Sequence, residues 1–353
     1  MALQTTWFIF IALLWAGFFL LEGFDFGVGM LVPLLGRDDA ERRALRATIA
    51  PVWDGNEVWL ITAGGATFAA FPDWYATMFS AYYLPLFLVL VALIVRACAS
   101  EYRAKASTER GRDIWDWLMA SGCLLAPLLI GVALGGLLGG IPIDAQLEFT
   151  GTLPDLVAPY ALLSGLALTA MCVAQALAFL RLKTTGEMQA RVTAVHRVAA
   201  FVAAGFLVVF VGWTQAEAGG LLIPNAAQWL AITFAVAAAF LATYPHQGWG
   251  FACTSGAIAF AVIGLFGTLH PNLMVSSTSA ANNITLSDSS GSYTLTLMTV
   301  IAAVMLPVVV LYQAWTYRVF RQRVAVVRSP GGGTTVTTAA GERPGGATDR
   351  QQP

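Results

Sequence analysis

The stretch Trp7-Phe8-Ile9-Phe10-Ile11-Ala12-Leu13-Leu14-Trp15-Ala16-Gly17-Phe18-Phe19-Leu20-Leu21-Glu22-Gly23-Phe24-Asp25-Phe26-Gly27 decides the fold. Together with its apolar continuation to Leu35 it exceeds the roughly 20 residues that a helix needs to cross a bilayer. Yet Glu22 and Asp25 lie inside it, three residues apart and therefore on one helix face. The following apolar segment opens with Ala50-Pro51-Val52-Trp53-Asp54-Gly55-Asn56-Glu57 and repeats that acidic spacing at Asp54 and Glu57. A charge at membrane depth costs at least about 2.5–3.5 kcal/mol, and such groups mark ion paths, proton relays or ligand sites.

Composition carries the same message along the whole chain. Of 353 residues, 58% are hydrophobic and 11% charged, against about 25% charged in an ordinary soluble domain. The class is therefore all-α and polytopic in a membrane. A net charge of −1 offers nucleic acid no electrostatic footing. The first apolar run passes straight into acid-bearing helix without a small-residue cleavage site, so it reads as a retained span. Cys98, Cys123, Cys172 and Cys253 fall in or beside apolar segments without CxxC spacing and read as small buried hydrophobes.

Apolar windows predict nine spans, at 7–33, 52–71, 75–97, 114–139, 157–181, 198–216, 226–244, 250–270 and 293–318. Loop charge orients them. Arg37, Arg42, Arg43 and Arg46 follow the first span, Arg96, Arg103, Lys105, Arg110 and Arg112 the third, Arg181, Lys183, Arg191 and Arg197 the fifth, and Arg318, Arg321, Arg323 and Arg328 the last. The alternate connections carry Asp73, then Asp144, Glu148 and Asp155, then Glu217, then Asp288, without Lys or Arg. By the positive-inside rule the N-terminus is outside and the C-terminus cytoplasmic, which an odd number of spans satisfies. Residues 1–320 form the membrane domain, and the low-complexity 321–353 read as a disordered cytoplasmic tail. Asn283-Ile284-Thr285 matches a glycosylation sequon by coincidence of three residues.

With that orientation Asp54 and Glu57 lie near the cytoplasmic face, Asp25 about 12 Å and Glu22 about 16 Å above it at about 1.5 Å per residue. Arg96 and Glu101 stand at the cytoplasmic end of the third span. If the first three spans pack together, these groups make a staircase toward mid-membrane, along which buried carboxylates could exchange protons and Arg96 could pair with one of them. The structural alternative is a set of buried ion pairs and caps, with Asp54 as a helix N-cap. Gln175 and Gln313 read as interhelical hydrogen-bonders. Gly131, Gly135 and Gly139, with Gly136 and Gly140 beside them, form a small-residue face for close helix packing.

The three histidines are His196 in a basic cytoplasmic loop, His246 in the Tyr244-Pro245-His246 turn and His270 at the outer end of the eighth span. None is placed mid-helix for haem ligation, and no HExxH, CxxCH or phosphate-loop motif occurs. No haem or metal is expected in this chain.

The segments Glu22-Gly-Phe-Asp-Phe-Gly-Val-Gly-Met-Leu, Ile49-Ala-Pro-Val-Trp-Asp-Gly-Asn-Glu-Val-Trp, Glu101-Tyr-Arg and Asp113-Ile-Trp-Asp-Trp resemble subunit II of cytochrome bd-type quinol oxidases. So do Gln175, Gly186-Glu187, Pro271-Asn-Leu-Met-Val-Ser-Ser-Thr and Leu295-Thr-Leu-Met-Thr, which carries the resemblance from about residue 7 to 320. The resemblance implies a complex of the bacterial cytoplasmic membrane that oxidises quinol and reduces oxygen to water with protons taken from the cytoplasm. It places haem b, haem d and the main quinol site in a partner subunit I, and makes this chain a nine-helix partner built from two four-helix bundles and one further helix. A small single-helix accessory subunit and membrane lipid are further partners it allows. The same resemblance assigns a proton route whose mouth matches Trp53 and Asp54, with Glu57, Glu22, Asp25, Arg96 and Glu101 at its other polar positions. At Glu22 and Glu101 the family also admits Asp, and Glu lengthens the reach by one methylene. A purely structural or assembly subunit is the main competing reading. A proton-coupled transporter is the lesser one, because neither inverted repeats nor broken helices are evident.

Overall fold

Backbone polar groups in lipid must bond within their own segment, which leaves helices as the way across for a chain this apolar. The computed structural model describes residues 2–217, 224–244, 247–328 and 334–339. Twelve α-helices run in order: α1 (Ala2–Leu35), α2 (Asp39–Ala47), α3 (Trp53–Ala70), α4 (Pro72–Ala81), α5 (Tyr83–Tyr102), α6 (Glu109–Gly139), α7 (Leu153–Leu156), α8 (Pro159–Lys183), α9 (Gly186–Glu217), α10 (Ala226–Leu241), α11 (Gln247–Leu269) and α12 (Ser292–Val319). Seven described helices are long and apolar enough to cross a membrane: α1, α5 with the 3-10 turn after it, α6, α8, α9, α11 and α12. The two other expected spans coincide with α3, whose first turns are diluted by Asp54, Asn56 and Glu57, and with α10, a shorter apolar helix of 16 residues.

Three boundaries depart from the sequence reading. The span expected at 75–97 is divided into α4 and α5 at Tyr82, which has φ −89° and ψ 21°. Pro85 lacks the N–H that would have bonded the Ala81 carbonyl, so the helix is interrupted there. The helix expected from residue 198 begins instead at Gly186. Met188, Val192, His196 and Ala200 recur at intervals of four and are all buried, an inward stripe that extends the helix through the basic segment. Third, the basic connection after α1 carries α2, capped by Asp38, whose Oδ1 accepts from the Glu41 amide at 2.8 Å.

Helix α1 is the hub. It packs against α3, α6, α8 and α11, and its residues Phe18, Phe19, Glu22, Asp25 and Phe26 are all fully enclosed. On one side α5 and α6 pack together; on the other α8 packs on α9 and α11, and α10 on α9 and α11. The glycine face of α6 joins the two sides. A Cβ at Gly135 would lie 2.6 Å from the Ser164 Cβ, and one at Gly131 2.7 Å from the Gly165 Cα, so α6 and α8 approach to a distance only glycine permits. Helix α12 is different: it touches α1 and α3 lightly and presents Val300, Val304, Val308, Leu311, Tyr312 and Trp315 outward.

The long connection before α12 is ordered by a short antiparallel pair, β1 (Asn272–Met274) and β2 (Ile284–Thr285). Asn283 of the sequon accepts from the Ser276 amide at 2.8 Å. In the segment read as tail, β3 (Arg323–Arg328) pairs antiparallel with β4 (Thr334–Ala339) beside α2. Residues 329–333 and 340–353 lie outside the described residues, as does His246.

Candidate proton-handling site

Glu22 and Asp25 project from α1 into the space between α3, α5 and α6. Arg96, one turn and a half before the end of α5, meets Glu22 through its Nη1 and stands 3.9 Å from Glu57 of α3. Its guanidinium lies over the Phe26 ring at 4.9 Å and the Trp53 ring at 5.3 Å, so aromatic faces supply part of the contact that water supplies elsewhere. Arg96, Glu22 and Asp25 are buried, whereas Glu57 keeps 21% of its side chain exposed.

Asp25 is held by Asn56, whose Nδ2 donates to Asp25 Oδ2 at 2.6 Å and to the Leu21 carbonyl at 3.0 Å. The Asn56 Oδ1 in turn accepts from Gln313 Nε2 at 2.6 Å and from the Tyr317 hydroxyl at 3.0 Å. One buried amide thus ties α1, α3 and α12. Four atoms of this site remain buried without a protein partner: Glu22 Oε2, Asp25 Oδ1, Arg96 Nε and Arg96 Nη2. Buried polar groups are nearly always bonded, to protein or to ordered water. Such atoms in a row suit a site through which water and protons pass.

The structure brings Glu22, Asp25, Glu57, Trp53 and Arg96 together, but sets two of the expected residues apart from them. Asp54 and Glu101 are exposed and form no ion pair among the described residues. Asp54 is not the N-cap of α3 either. That position is Val52, without a side-chain cap, and Asp54 lies in the first turn, where a negative charge suits the helix dipole. Glu101, Trp53 and Ser100 instead line a cavity of about 440 Å³ with Asp39, Arg43, Arg46, Arg103 and Arg112.

That cavity borders a cluster the sequence reading passed over. Asp116 of α6, wholly buried, accepts from Arg103 Nε at 2.6 Å and Nη2 at 2.9 Å and lies 3.4 Å from both Arg42 and Arg46. Asp39 receives Arg103 at 2.8 Å, with Arg43 and Arg112 each at 3.3 Å. Partial burial pushes the Asp39 carboxyl up, but the Arg103 hydrogen bond and the charges of Arg103, Arg43 and Arg112 hold it below the usual carboxylate range. Asp113 pairs with Arg42. The signal was available in Asp113-Ile-Trp-Asp116, which places both acids on one helix face. Asn56 was likewise legible only as part of a motif.

Of the glutamines, Gln175 Nε2 donates to the Leu20 carbonyl and to Ser255 Oγ, both at 2.9 Å, and so bridges α1, α8 and α11. Together with the Gln313 bond, this bears out the interhelical role expected of both. His196 is not in a loop: it is enclosed in α9, its Nδ1 3.1 Å from Arg181 Nη1. His270 packs its ring on Phe8. Among the described residues no group of three His, Cys, Asp or Glu could hold a metal ion.

Comparison with known proteins places this arrangement in a family. Residues 3–320 match the family model of cytochrome bd terminal oxidase subunit II, and the chain belongs to that family. It is 40% identical over 331 residues to the cytochrome bd ubiquinol oxidase subunit 2 of Bacillus subtilis, covering 92% of this chain and 97% of the relative. It is 35% identical over 353 residues to the cytochrome bd-I ubiquinol oxidase subunit 2 of Escherichia coli K12, covering 89% and 93%. Its fold is similar to a chain of the bd oxidase from Geobacillus thermodenitrificans, with TM-score 0.73 at 16% identity, covering 91% of this chain and 99% of that one.

Proposed function

We propose that this chain is the haem-free second subunit of a bd-type quinol:O2 oxidoreductase in a bacterial cytoplasmic membrane, and that it carries part of the route by which cytoplasmic protons reach the oxygen-reducing site. Family membership supports the complex. The observation that carries the proton route is the enclosed Glu22–Arg96–Asp25 group, whose carboxylates each keep one oxygen without a protein partner. Protons are taken up at Asp54 beside Trp53, pass Glu57, and reach Glu22 and Asp25, with Arg96 holding the charge balance and Glu101 supplying acid at the cytoplasmic rim.

The chain crosses the membrane nine times, with α3 and α10 as the two shorter spans, its N-terminus outside and its C-terminus in the cytoplasm. Helices α1, α3, α5 and α6 form one four-helix bundle, α8 to α11 a second, and α12 the additional helix. Subunit I, which holds haem b and haem d and oxidises quinol, covers the apolar face of α3, α5 and α12, where Ile61, Phe87, Ile94, Leu311 and Trp315 stand exposed. A single-helix accessory subunit and lipid complete the assembly.

The competing reading is a structural subunit whose Glu22–Arg96 pair only fixes helix register, and that pair being a buried ion pair is what favours it. Substitution separates the two. Asp54→Asn, and less severely Asp25→Asn, should slow oxygen consumption by the purified complex while haem b and haem d absorbance and subunit stoichiometry persist. Loss of haem together with activity would make the role structural. Wild-type turnover in both variants would remove the proton route.

A further inference from the structure

Besides Arg103, which follows α5 directly and bonds Asp116 itself, Arg46 of α2 reaches both the buried Asp116 and the end of α5. Its Nη1 faces Asp116 Oδ1 at 3.4 Å, while its Nη2 donates to the carbonyls of Ala99 and Ser100, both at 2.9 Å. The Ser100 carbonyl is one of the last four of α5, which have no partner within the helix, and the Ala99 carbonyl lies one position before it. A cation there satisfies them and complements the helix dipole. Arg96 lies one turn earlier on the same helix, three and four residues from the gripped carbonyls. Its own guanidinium has few fixed bonds: Nε and Nη2 have no protein partner, so its aim at Glu22 depends on where the end of α5 is held.

Asp116 in turn sets Arg46. It is the buried end of a network in which Arg42, Arg43, Arg46, Arg103 and Arg112 meet Asp39, Asp113 and Asp116 across α2, α6 and the turn after α5. The fork matters here: the guanidinium turns Nη1 to the carboxylate and Nη2 to the two carbonyls, whereas an ammonium carries all its donors on one atom and cannot span acceptors set that far apart in the same way. We infer that Arg46, anchored by Asp116, is a positioning residue for proton transfer: it clamps the last turn of α5 so that Arg96 stays registered on Glu22. The inference rests on the proton-route reading above.

The charged and titratable groups around Arg96 are Glu22 and Asp25 on α1, Glu57 on α3 and Cys123 on α6; those around Arg46 are Asp116, Arg103 and Cys123. Displacing Arg96 changes the field at all three carboxylates together, so the pH dependence of turnover must move with it.

The test uses the intact complex purified from membranes, with oxygen consumption followed across pH and haem b and haem d quantified in each variant. Arg46→Lys keeps the charge and loses the fork, and Asp116→Asn keeps the shape and loses the anchor. Both should assemble with haem, turn over about tenfold more slowly, as misplacement of a relay group does, and show a displaced pH profile. Arg43→Gln removes one charge from the same surface through a residue whose ion pair among the described residues is with Asp39 and not Asp116, and should leave the profile in place. A wild-type profile in Arg46→Lys, an equal shift in Arg43→Gln, or haem-free protein from both Arg46→Lys and Asp116→Asn would each overturn the inference. Glu22→Gln serves as reference: if its turnover and profile are also unchanged, the proton route itself fails; if they change while those of Arg46→Lys do not, only the clamp fails.

Discussion

The two sides of α1 handle buried polarity in opposite ways. Toward α3, α5 and α6 the interior holds formal charge: Glu22, Asp25 and Arg96 are enclosed, and several of their atoms have no protein partner. Toward α9, α10 and α11 the enclosed groups are mainly neutral and mutually bonded. Gln215 Nε2 donates to Gln228 Oε1 at 2.8 Å, Gln228 Nε2 to Thr268 Oγ1 at 3.1 Å, and the Asn225 Nδ2 to the Gly264 carbonyl at 2.8 Å. The Arg181 buried there donates through Nη1 and Nη2 to neutral acceptors, the His196 ring and the carbonyls of Ala242 and Tyr244 just after α10, while its Nε and the His196 Nε2 have no hydrogen-bond partner among the described residues. A neutral network bonded to itself fixes geometry. A charged one inside apolar helices is expensive to keep, and on the proton-route reading it is kept because protons move there.

The strongest way to break this contrast is to remove the cation. Arg96→Met leaves Glu22 enclosed and unpaired, and breaking a buried pair from one side costs about 3–5 kcal/mol. The yield of haem-loaded complex should fall steeply. Adding Glu22→Met removes the orphaned charge, and should restore assembly without restoring oxygen consumption. Recovery of both in the double variant would mean that the pair serves packing alone.

A second substitution probes the seam between the two sides. At Gly135 a side chain would meet the Ser164 Cβ at 2.6 Å and the Ala161 Cα at 3.0 Å, and the backbone of α8 cannot yield as a side chain can. Gly135→Leu should separate α6 from α8, with an overpacking cost of about 1–3 kcal/mol, and lower the amount of intact complex recovered in mild detergent. Normal recovery would show that the close approach is not needed for assembly.

Legibility in the sequence follows the same division. The helices could be read because apolar length is a local property, and the acids because charge in an apolar run is conspicuous. The Glu22–Asp25 pair needed no partner to be noticed. Its partners did: Asn56, Gln313 and Tyr317 are ordinary polar residues on separate segments, and only packing makes them one hydrogen-bonded group around Asp25. The Asp116 network was hidden for another reason. Its arginines had already been read as loop charges that set orientation, and nothing local distinguishes an arginine facing water from one that grips the Ala99 and Ser100 carbonyls. An apolar run that looked continuous is broken at Tyr82 because the N–H missing at Pro85, four residues after Ala81, is felt upstream. His196 was misplaced because its helix is kept inward by one narrow stripe through a basic segment.

The gentlest test lies in the neutral network. Gln228 is enclosed, its Oε1 receiving both Gln215 Nε2 at 2.8 Å and the Asn225 amide at 2.9 Å, the second bond being half of the capping box that starts α10. Gln228→Leu has nearly the same bulk, and leaves those two donors without an acceptor. Each buried group so orphaned costs about 1–3 kcal/mol, which in a protein of this size lowers the melting temperature by only a few degrees. Turnover per haem and its pH profile should not move, because no charge lies in the network and Glu22 is on the far side of α1. Thermal unfolding followed by haem absorbance, with oxygen consumption below the transition, measures both. A variant that melts normally and turns over slowly would show that the second side also takes part in the chemistry, and the contrast between the sides would have to be given up.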